Sequence, residues 1–333
     1  MINRKVSIIM PMKNSEAYLE ECLDSIQRQT YDNWELFVVN DHSSDSSVSI
    51  IKRLSKSDRR ISLIHNRSNG IITSLQAGLH KVKAEYVTRM DSDDIMPPDR
   101  LQLMVDRISR SPEKSVVTGL VKYFGDQPIS PGYLKYQDWI NQRIKLNDHW
   151  KWIYRECIVA SPNWLMKTND LRDIGGFDGL SYPEDYDLVF RWYQNGLNII
   201  SVDALTLRWR EHPARISRNS SHYDQQHFFQ LKLNHFVKHQ WQNVPLLLWG
   251  TAAKGKLTAG YLKKNGIPFR WMARDRGNGS VINDVPIEDF TLDRIDRPFK
   301  LLISVYPENR ELNLMVDYLD QQELQMGTDY WFL

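Results

Sequence analysis

Two cysteines, Cys22 and Cys157, are too few for a disulfide framework, and their spacing matches no metal motif. The expected setting is reduced and cytoplasmic. No apolar run is long enough to cross a bilayer, so a lipid-linked substrate would be met from the membrane surface. Residues Met1–Lys5 run into a strand-like segment without a signal-peptide pattern. Strong charge of either sign is also missing. The formal net charge is +2, which directs the chain to no nucleic acid. So mild a basic bias suits an anionic small substrate or an anionic membrane and does not choose between them. There is no internal repeat and no low-complexity stretch.

What is present is ordinary for a globular protein: 41% hydrophobic and 25% charged residues. A chain of 333 residues suits one large domain and one small one. Val6–Met10 is a short apolar run ending at Pro11, as in a buried strand. Asn14 and Ser15 offer a cap for a helix over 16–29, where Leu19, Cys22, Leu23 and Ile26 recur at helical spacing. Further strands are expected at 34–40, 61–64 and 86–90, with helices after residue 47 and over 70–82. This βαβ rhythm predicts a parallel sheet that binds ligands beyond the carboxyl ends of its strands. Asn14, Asp41 and Asp91–Asp94 all fall at such ends. A helix is expected near 222–239. Strands at 246–249, 269–273, 285–287 and 300–304, with helices ending at Lys264 and spanning 308–319, then describe a smaller α/β unit.

Asp91, Ser92, Asp93 and Asp94 place three carboxylates within four residues. Such a group is tolerated when solvated or when a cation neutralises it. Oxygen ligands favour Mg²⁺ or Mn²⁺ over zinc, and a cation with few protein ligands keeps positions for substrate phosphates. The alternative is a solvated acidic turn before the helix near Pro98.

Several segments occur in a telling order: Val6–Asn14 (VSIIMPMKN), Val38–Asp45 (VVNDHSSD), Asn69–Gly70 and Arg89–Leu101 (RMDSDDIMPPDRL). They are followed by Gly175–Asp178 (GGFD), Glu184–Asp187 (EDYD) and Arg210–His212 (REH). Over about residues 5–217 this series resembles the family 2 glycosyltransferases with a GT-A fold. The resemblance implies an α/β catalytic domain with a mostly parallel sheet over 1–220, which uses a nucleotide-diphosphate sugar, most commonly a UDP-sugar. It implies that Pro11 and Asn14 shape the nucleotide wall and that Asp41 accepts a hydrogen bond from the base. An ionised Asp is acceptor-only and suits an imide N–H, but Asp41 also fits as a cap for the Ser43–Ser47 loop. Asp91, with Ser92 beside it, would reach the ribose or help order the metal, and Asp93 would ligate Mn²⁺ or Mg²⁺. Asp94 would do that or stabilise the following turn. His212 would help hold the metal or diphosphate, Arg210 or Arg215 would pair with phosphate oxygens, and Arg67 would face the nucleotide.

In the same way, Asp185 is implied as the base that takes the acceptor's proton, giving inversion at the anomeric carbon. Glu184 is second choice and Asp187 third. All three acids also suit a helix N-terminus. Lys13, Gln76 and Ala84 depart from frequent family residues without removing a catalytic group.

The aromatic stretch Tyr133–Tyr154 is read as core first, acceptor contact second and membrane contact third. Residues 221–243 read as a helical linker and 244–333 as a Rossmann-like domain. There, Gly250–Gly255 (GTAAKG) lies between strand and helix like a phosphate loop. Ala252 stands where a second glycine would admit a pyrophosphate, and only Asp275 offers an acid near the end of the next strand. Structural, oligomerising or acceptor-positioning roles rank above a bound dinucleotide. The expected activity is inverting transfer to a hydroxyl of a glycan or lipid-linked acceptor in cell-surface polysaccharide synthesis. Peripheral membrane association and homo-oligomerisation stay open. The competing readings are a sugar nucleotidyltransferase, for which Pro11–Asn14 is the wrong loop, and a catalytically inactive scaffold subunit.

Overall fold

The computed structural model describes residues 4–179, 181–274, 280–292, 295–305, 307 and 309–333. Asp275 and Glu308 lie outside them. The chain divides into two units, one of Met1–His149 and Ile158–Ser220, the other of Trp150–Cys157 and Ser221–Leu333.

The first unit opens with β1 (Val6–Met12), α1 (Leu19–Gln27), β2 (Trp34–Asn40), α2 (Ser47–Ser57), β3 (Ile61–His65), α3 (Ile71–Lys81) and β4 (Tyr86–Arg89). It continues with α4 (Arg100–Ile108), β5 (Ser115–Phe124), α5 (Pro131–Leu146), β6 (Leu165–Lys167), α6 (Thr168–Asp173), α7 (Glu184–Gln194), β7 (Asn198–Arg210) and α8 (Ile216–Asn219). The seven strands lie in the order β3-β2-β1-β4-β6-β5-β7. Only β6 runs against its neighbours β4 and β5.

The regular half follows the periodicity. β1 is buried along nearly all its length, as expected for a parallel strand covered on both faces. The apolar stripe of α1 (Leu19, Cys22, Leu23, Ile26) is wholly buried. Asn14 and Ser15 do not cap α1. The helix begins later, after Tyr18, with no side-chain cap, because Asn14 bends left-handed at φ 48° and faces the loop after β2.

β1 lies between β2 and β4, so the loops after these three strands open side by side. They are stitched together. The Ser15 N–H donates to the Ser47 hydroxyl at 2.8 Å and the Glu16 N–H to Asp45 at 3.0 Å. Buried Arg100 fastens the end of β4, donating to Thr88 Oγ1, Arg89 O and Pro162 O.

The aromatic stretch 133–154 forms α5 and a short 3-10 turn, and it serves both cores. Tyr133, Tyr136 and Trp139 pack on the core of the first unit. Trp152 stacks on Phe332, and Tyr154 meets Phe236 and Trp331 edge-on, within the second unit.

The second unit holds α9 (Gln225–His239), β8 (Leu246–Trp249), α10 (Ala253–Lys264), β9 (Arg270–Ala273), β10 (Val281–Ile282), β11 (Val285–Asp289), β12 (Lys300–Ile303), α11 (Asn309–Gln321) and β13 (Tyr330–Phe332). Its sheet order is β10-β11-β9-β8-β12-β13, parallel except for the β10–β11 pair. Residues 221–243 are grouped with this unit. Phe229, Leu231, Leu233 and Phe236 of α9 are buried, so the helix has an apolar face to cover and is no free-standing spacer. Among the described residues no helix is long and apolar enough to cross a membrane.

Candidate active site

The loop after β2 is organised by Asp41, a buried carboxylate. Its Oδ1 accepts from Asn66 Nδ2 at 3.1 Å and from the Gly70 N–H at 2.9 Å, and its Oδ2 pairs with Lys13 Nζ at 3.3 Å. Gly70 adopts φ +103°, a conformation that side-chain-bearing residues rarely take, and this lets its N–H reach the carboxylate. A carboxylate offers about four acceptor positions, so three protein donors leave room for one more. Asn14 Oδ1 accepts from the Ser44 N–H at 2.8 Å. Pro11 is half-buried in β1 and Arg67 is exposed beside Asn66.

The acidic run after β4 splits into different environments. Asp91 faces Arg89, whose Nε donates to Asp91 Oδ1 at 2.7 Å. Burial pushes this carboxyl above its ordinary range, against the pull of Arg89. Ser92 turns inward, its hydroxyl 2.7 Å from that of Ser15. It was expected at the nucleotide, but it is buried and its bond holds two loops together. Asp94 is buried too, and its Oδ1 accepts from the Arg210 N–H at 2.7 Å. It anchors β7, the turn-stabilising alternative.

Asp93 stays 27% exposed, and its Oδ2 lies 2.9 Å from His212 Nε2. Burial alone would raise this carboxyl, but the His212 bond and nearby Arg215 hold it below the usual carboxylate value. The His212 ring packs against Tyr18, with centroids 4.7 Å apart. Arg210, expected at phosphate, donates to Asp93 O and to Glu21 and lies over the rings of Tyr18 and Phe124. Its guanidinium is spent on building the wall. Arg215 pairs with Glu211 at 3.0 Å.

The head of α7 supplies the opposing acids. Glu184 is buried and accepts from Arg89 Nη1 at 3.1 Å. One guanidinium therefore ties the end of β4 to the start of α7. Asp185 follows, half-buried, accepting from the Tyr186 N–H at 2.8 Å. Burial and the Glu184 charge push its carboxyl up to about 7, against Arg89. Arg89, Glu184 and Asp185 line one cavity of about 10 Å³ with Ser161, Phe177 and Trp164, room for roughly one water. Asp187 is elsewhere engaged. It pairs with Arg191, which also donates to Ile174 O and Gly176 O. That clamp holds the Gly175–Asp178 loop, to which Gln76 of α3 also donates.

Among the described residues no three His, Cys, Asp or Glu side chains gather as a metal set. Asp93 with His212 is a two-ligand alternative. Adjacent ligands of an octahedral ion at ~2.1 Å stand about 3 Å apart, which their 2.9 Å separation matches. Asp91 fits a cation less well, because Arg89 already occupies its carboxylate. Asn66, Arg89, Arg100 and Arg191 organise the site, yet motif spacing does not announce them. Only the position of Arg89 and Arg100 inside the RMDSDDIMPPDRL segment gives a hint of two of them.

Comparison with known proteins agrees with this architecture. Glycosyltransferase GlyA of Streptococcus pneumoniae is 40% identical over 108 residues, 32% of this chain and 16% of that protein. Glycosyltransferase GlyG of the same organism is 22% identical over 219 residues, covering 64% of this chain and 73% of its own length. The match to GlyA thus spans less than a fifth of that relative. Among solved structures, S. aureus TarS in complex with UDP-GlcNAc aligns with a TM-score of 0.53 at 19% identity, over 78% of this chain and 72% of that one. The mannosyltransferase PcManGT of Pyrobaculum calidifontis, in complex with GDP-Man and Mn²⁺, aligns with a TM-score of 0.53 at 20% identity, over 78% and 69%. These likenesses show a shared fold, that of GT-A glycosyltransferases. The sequence profile described as Glycosyl transferase family 2 matches residues 7–175, half of the chain, and the chain belongs to that family.

Proposed function

We propose that this glycosyltransferase transfers a sugar, with inversion, from a nucleotide-diphosphate sugar to a hydroxyl of a glycan or lipid-linked acceptor during surface-polysaccharide synthesis. The observation that carries this reading is Arg89. Through it the acids after β4 and those heading α7 share one cleft in the first unit. A donor phosphate and an acceptor hydroxyl can then be served from opposite sides.

Asp41 takes the base with its remaining acceptor position, which suits the N–H of uracil and favours a UDP-sugar. TarS, crystallised with UDP-GlcNAc, supports that choice of nucleotide. Asp91 receives the ribose hydroxyls. Asp93 and His212 hold Mn²⁺ or Mg²⁺, as the Mn²⁺ complex of PcManGT encourages. A divalent ion bound there would offset the charge that grows on the departing diphosphate.

Asp185 accepts the proton of the attacking hydroxyl. A carboxyl lifted to about 7 is a far better base than an ordinary aspartate, yet part of it is ionised at neutral pH. Glu184, neutralised by Arg89, holds its neighbour in place. The Rossmann-like reading of the second unit and the domain limits 1–220 and 244–333 belong to the same proposal, as do a cytoplasmic location and any membrane or subunit contact.

A donor screen tests this. The protein is incubated with Mn²⁺ and a panel of nucleotide sugars, and nucleotide release is followed with and without glycan acceptors. The reading expects metal-dependent release of UDP from one donor. Pyrophosphate release or consumption would favour a nucleotidyltransferase, and inertness toward every donor a scaffold.

A further inference from the structure

The second unit contains a cavity of about 930 Å³, toward the upper end of the ~300–1,000 Å³ common for small-molecule sites. It opens beyond the carboxyl ends of β8, β9 and β12. β8 is where the strand order reverses, since α10 leads from it to β9 on one side while β12 flanks it on the other. Crevices of open α/β sheets form at such points.

The lining divides by chemistry. One part is apolar: Val305, Leu314 and Met315, with Leu314 61% exposed. The other is the Gly250–Lys254 loop with Ser304 and Arg274. The loop is wound tightly. Gly250 sits at φ +117°, and a Cβ on Gly255 would fall 2.1 Å from Gly250 O. Ala252 is the N-cap of the twelve-residue α10 and gives it no side-chain cap, so the first N–H groups lack that acceptor.

Two side chains add independent weight. Thr251 is 8% exposed, and among the described residues its hydroxyl makes no hydrogen bond. Thr251 lines the cavity, where its hydroxyl can meet a ligand. Arg274 follows β9 and rests over the ring of Trp249 at 5.4 Å, and no carboxylate pairs with it among the described residues. Lys254 contributes less, since its Nζ donates to Leu333 O at 3.3 Å. Glu311 is the acidic residue in the described lining.

We propose that this cavity binds a phosphorylated small molecule, with its phosphate at the α10 N-terminus between Thr251 and Arg274 and its body along Val305, Leu314 and Met315. A helix N-terminus supplies oriented N–H donors to an anion, Thr251 supplies a hydroxyl donor, and Arg274 supplies the charge. The Ala252 methyl hinders the close approach that a bridging pyrophosphate needs. A terminal phosphate monoester, as on a sugar phosphate or mononucleotide, fits better. Glu311 accepts from hydroxyls of the body.

The test uses the full chain, titrated with glucose 1-phosphate, AMP or inorganic phosphate. It follows the backbone amide resonances of Thr251–Gly255, which separates this cavity from nucleotide binding in the first unit. Saturable shifts there are expected with a phosphate ester, and weaker binding of inorganic phosphate alone. Arg274→Ala should weaken binding about tenfold, Arg274→Lys should recover part of the loss, and Thr251→Val should also weaken it. Donor hydrolysis should be unchanged in all three. Shifts confined to the first unit, equal binding by Arg274→Ala, or inorganic phosphate bound as tightly as the esters would overturn the proposal.

Discussion

Arg89 Nη1 donates to Glu184 at 3.1 Å across 95 positions of sequence, and both side chains are about 5% exposed. A buried pair of this kind contributes little compared with a good apolar replacement, but removing one partner strands the other charge. Arg89→Met should therefore lower stability by about 3–5 kcal/mol, by denaturant titration. Arg89→Met with Glu184→Gln should recover much of that loss. Neither variant should transfer sugar at a normal rate, because Asp91 and Asp185 lose the cation between them.

Asp185 has two separable consequences. As the base it must be ionised, so transfer should climb with pH through about 7. Asp185→Asn should reduce transfer by about 10²–10⁴-fold while donor still binds. The effect on stability has the opposite sense. A folded-state value raised above the unfolded one means that folding is favoured at low pH and loses that advantage as pH rises through about 7. Asp185→Asn should melt higher than wild type at mildly alkaline pH and alike near pH 4. Unimpaired transfer by this variant would assign the base elsewhere.

Asp93→Ala should abolish metal-dependent nucleotide release. His212→Ala should keep release but demand more Mn²⁺, roughly tenfold, because one of two proposed protein ligands is gone. Metal titrations monitored by nucleotide release check both. An unchanged metal requirement in His212→Ala would leave His212 as a partner of Asp93 and Tyr18 and remove it from the metal set.

His149 is buried, and burial with Arg143 nearby lowers its value to about 4. It folds neutral, so the unfolded chain takes up its proton first. Stability should be complete above about 6.5 and fall as pH drops toward 4. His149→Gln should flatten that part of the profile in thermal melts across pH.

The repeating half of the fold was open to inspection in the sequence. Apolar runs at 34–40 and 246–249 are β2 and β8 to the residue, because parallel strands buried on both faces are bounded by polar turns. β5 and β7 were not anticipated. β7 alternates exposed and buried residues over Asn198–Arg210, and its pairing with β5 shifts register near Gly119–Leu120, which blurs the period. Residue type singles out Asp41, Asp93 and Asp185 as candidates, and the structure sets them after β2, after β4 and at the head of α7. The site was opaque where a polar residue could face in or out. Ser92 and Arg210 carry suitable groups but spend them on Ser15 and on Asp93 O. Which way each turned depended on partners 77 and 117 positions away.

The assignment of residues 150–157 to the second unit bears on how the chain is born. Trp152 leaves the ribosome about 180 residues ahead of Phe332, the ring it finally stacks upon. At ordinary translation speeds that interval is roughly ten to thirty seconds. Throughout it, Trp152 and Tyr154 lack Trp331 and Phe332, a sticky stretch that a chaperone could shield. A gene cut after Ser220 would make this wait permanent.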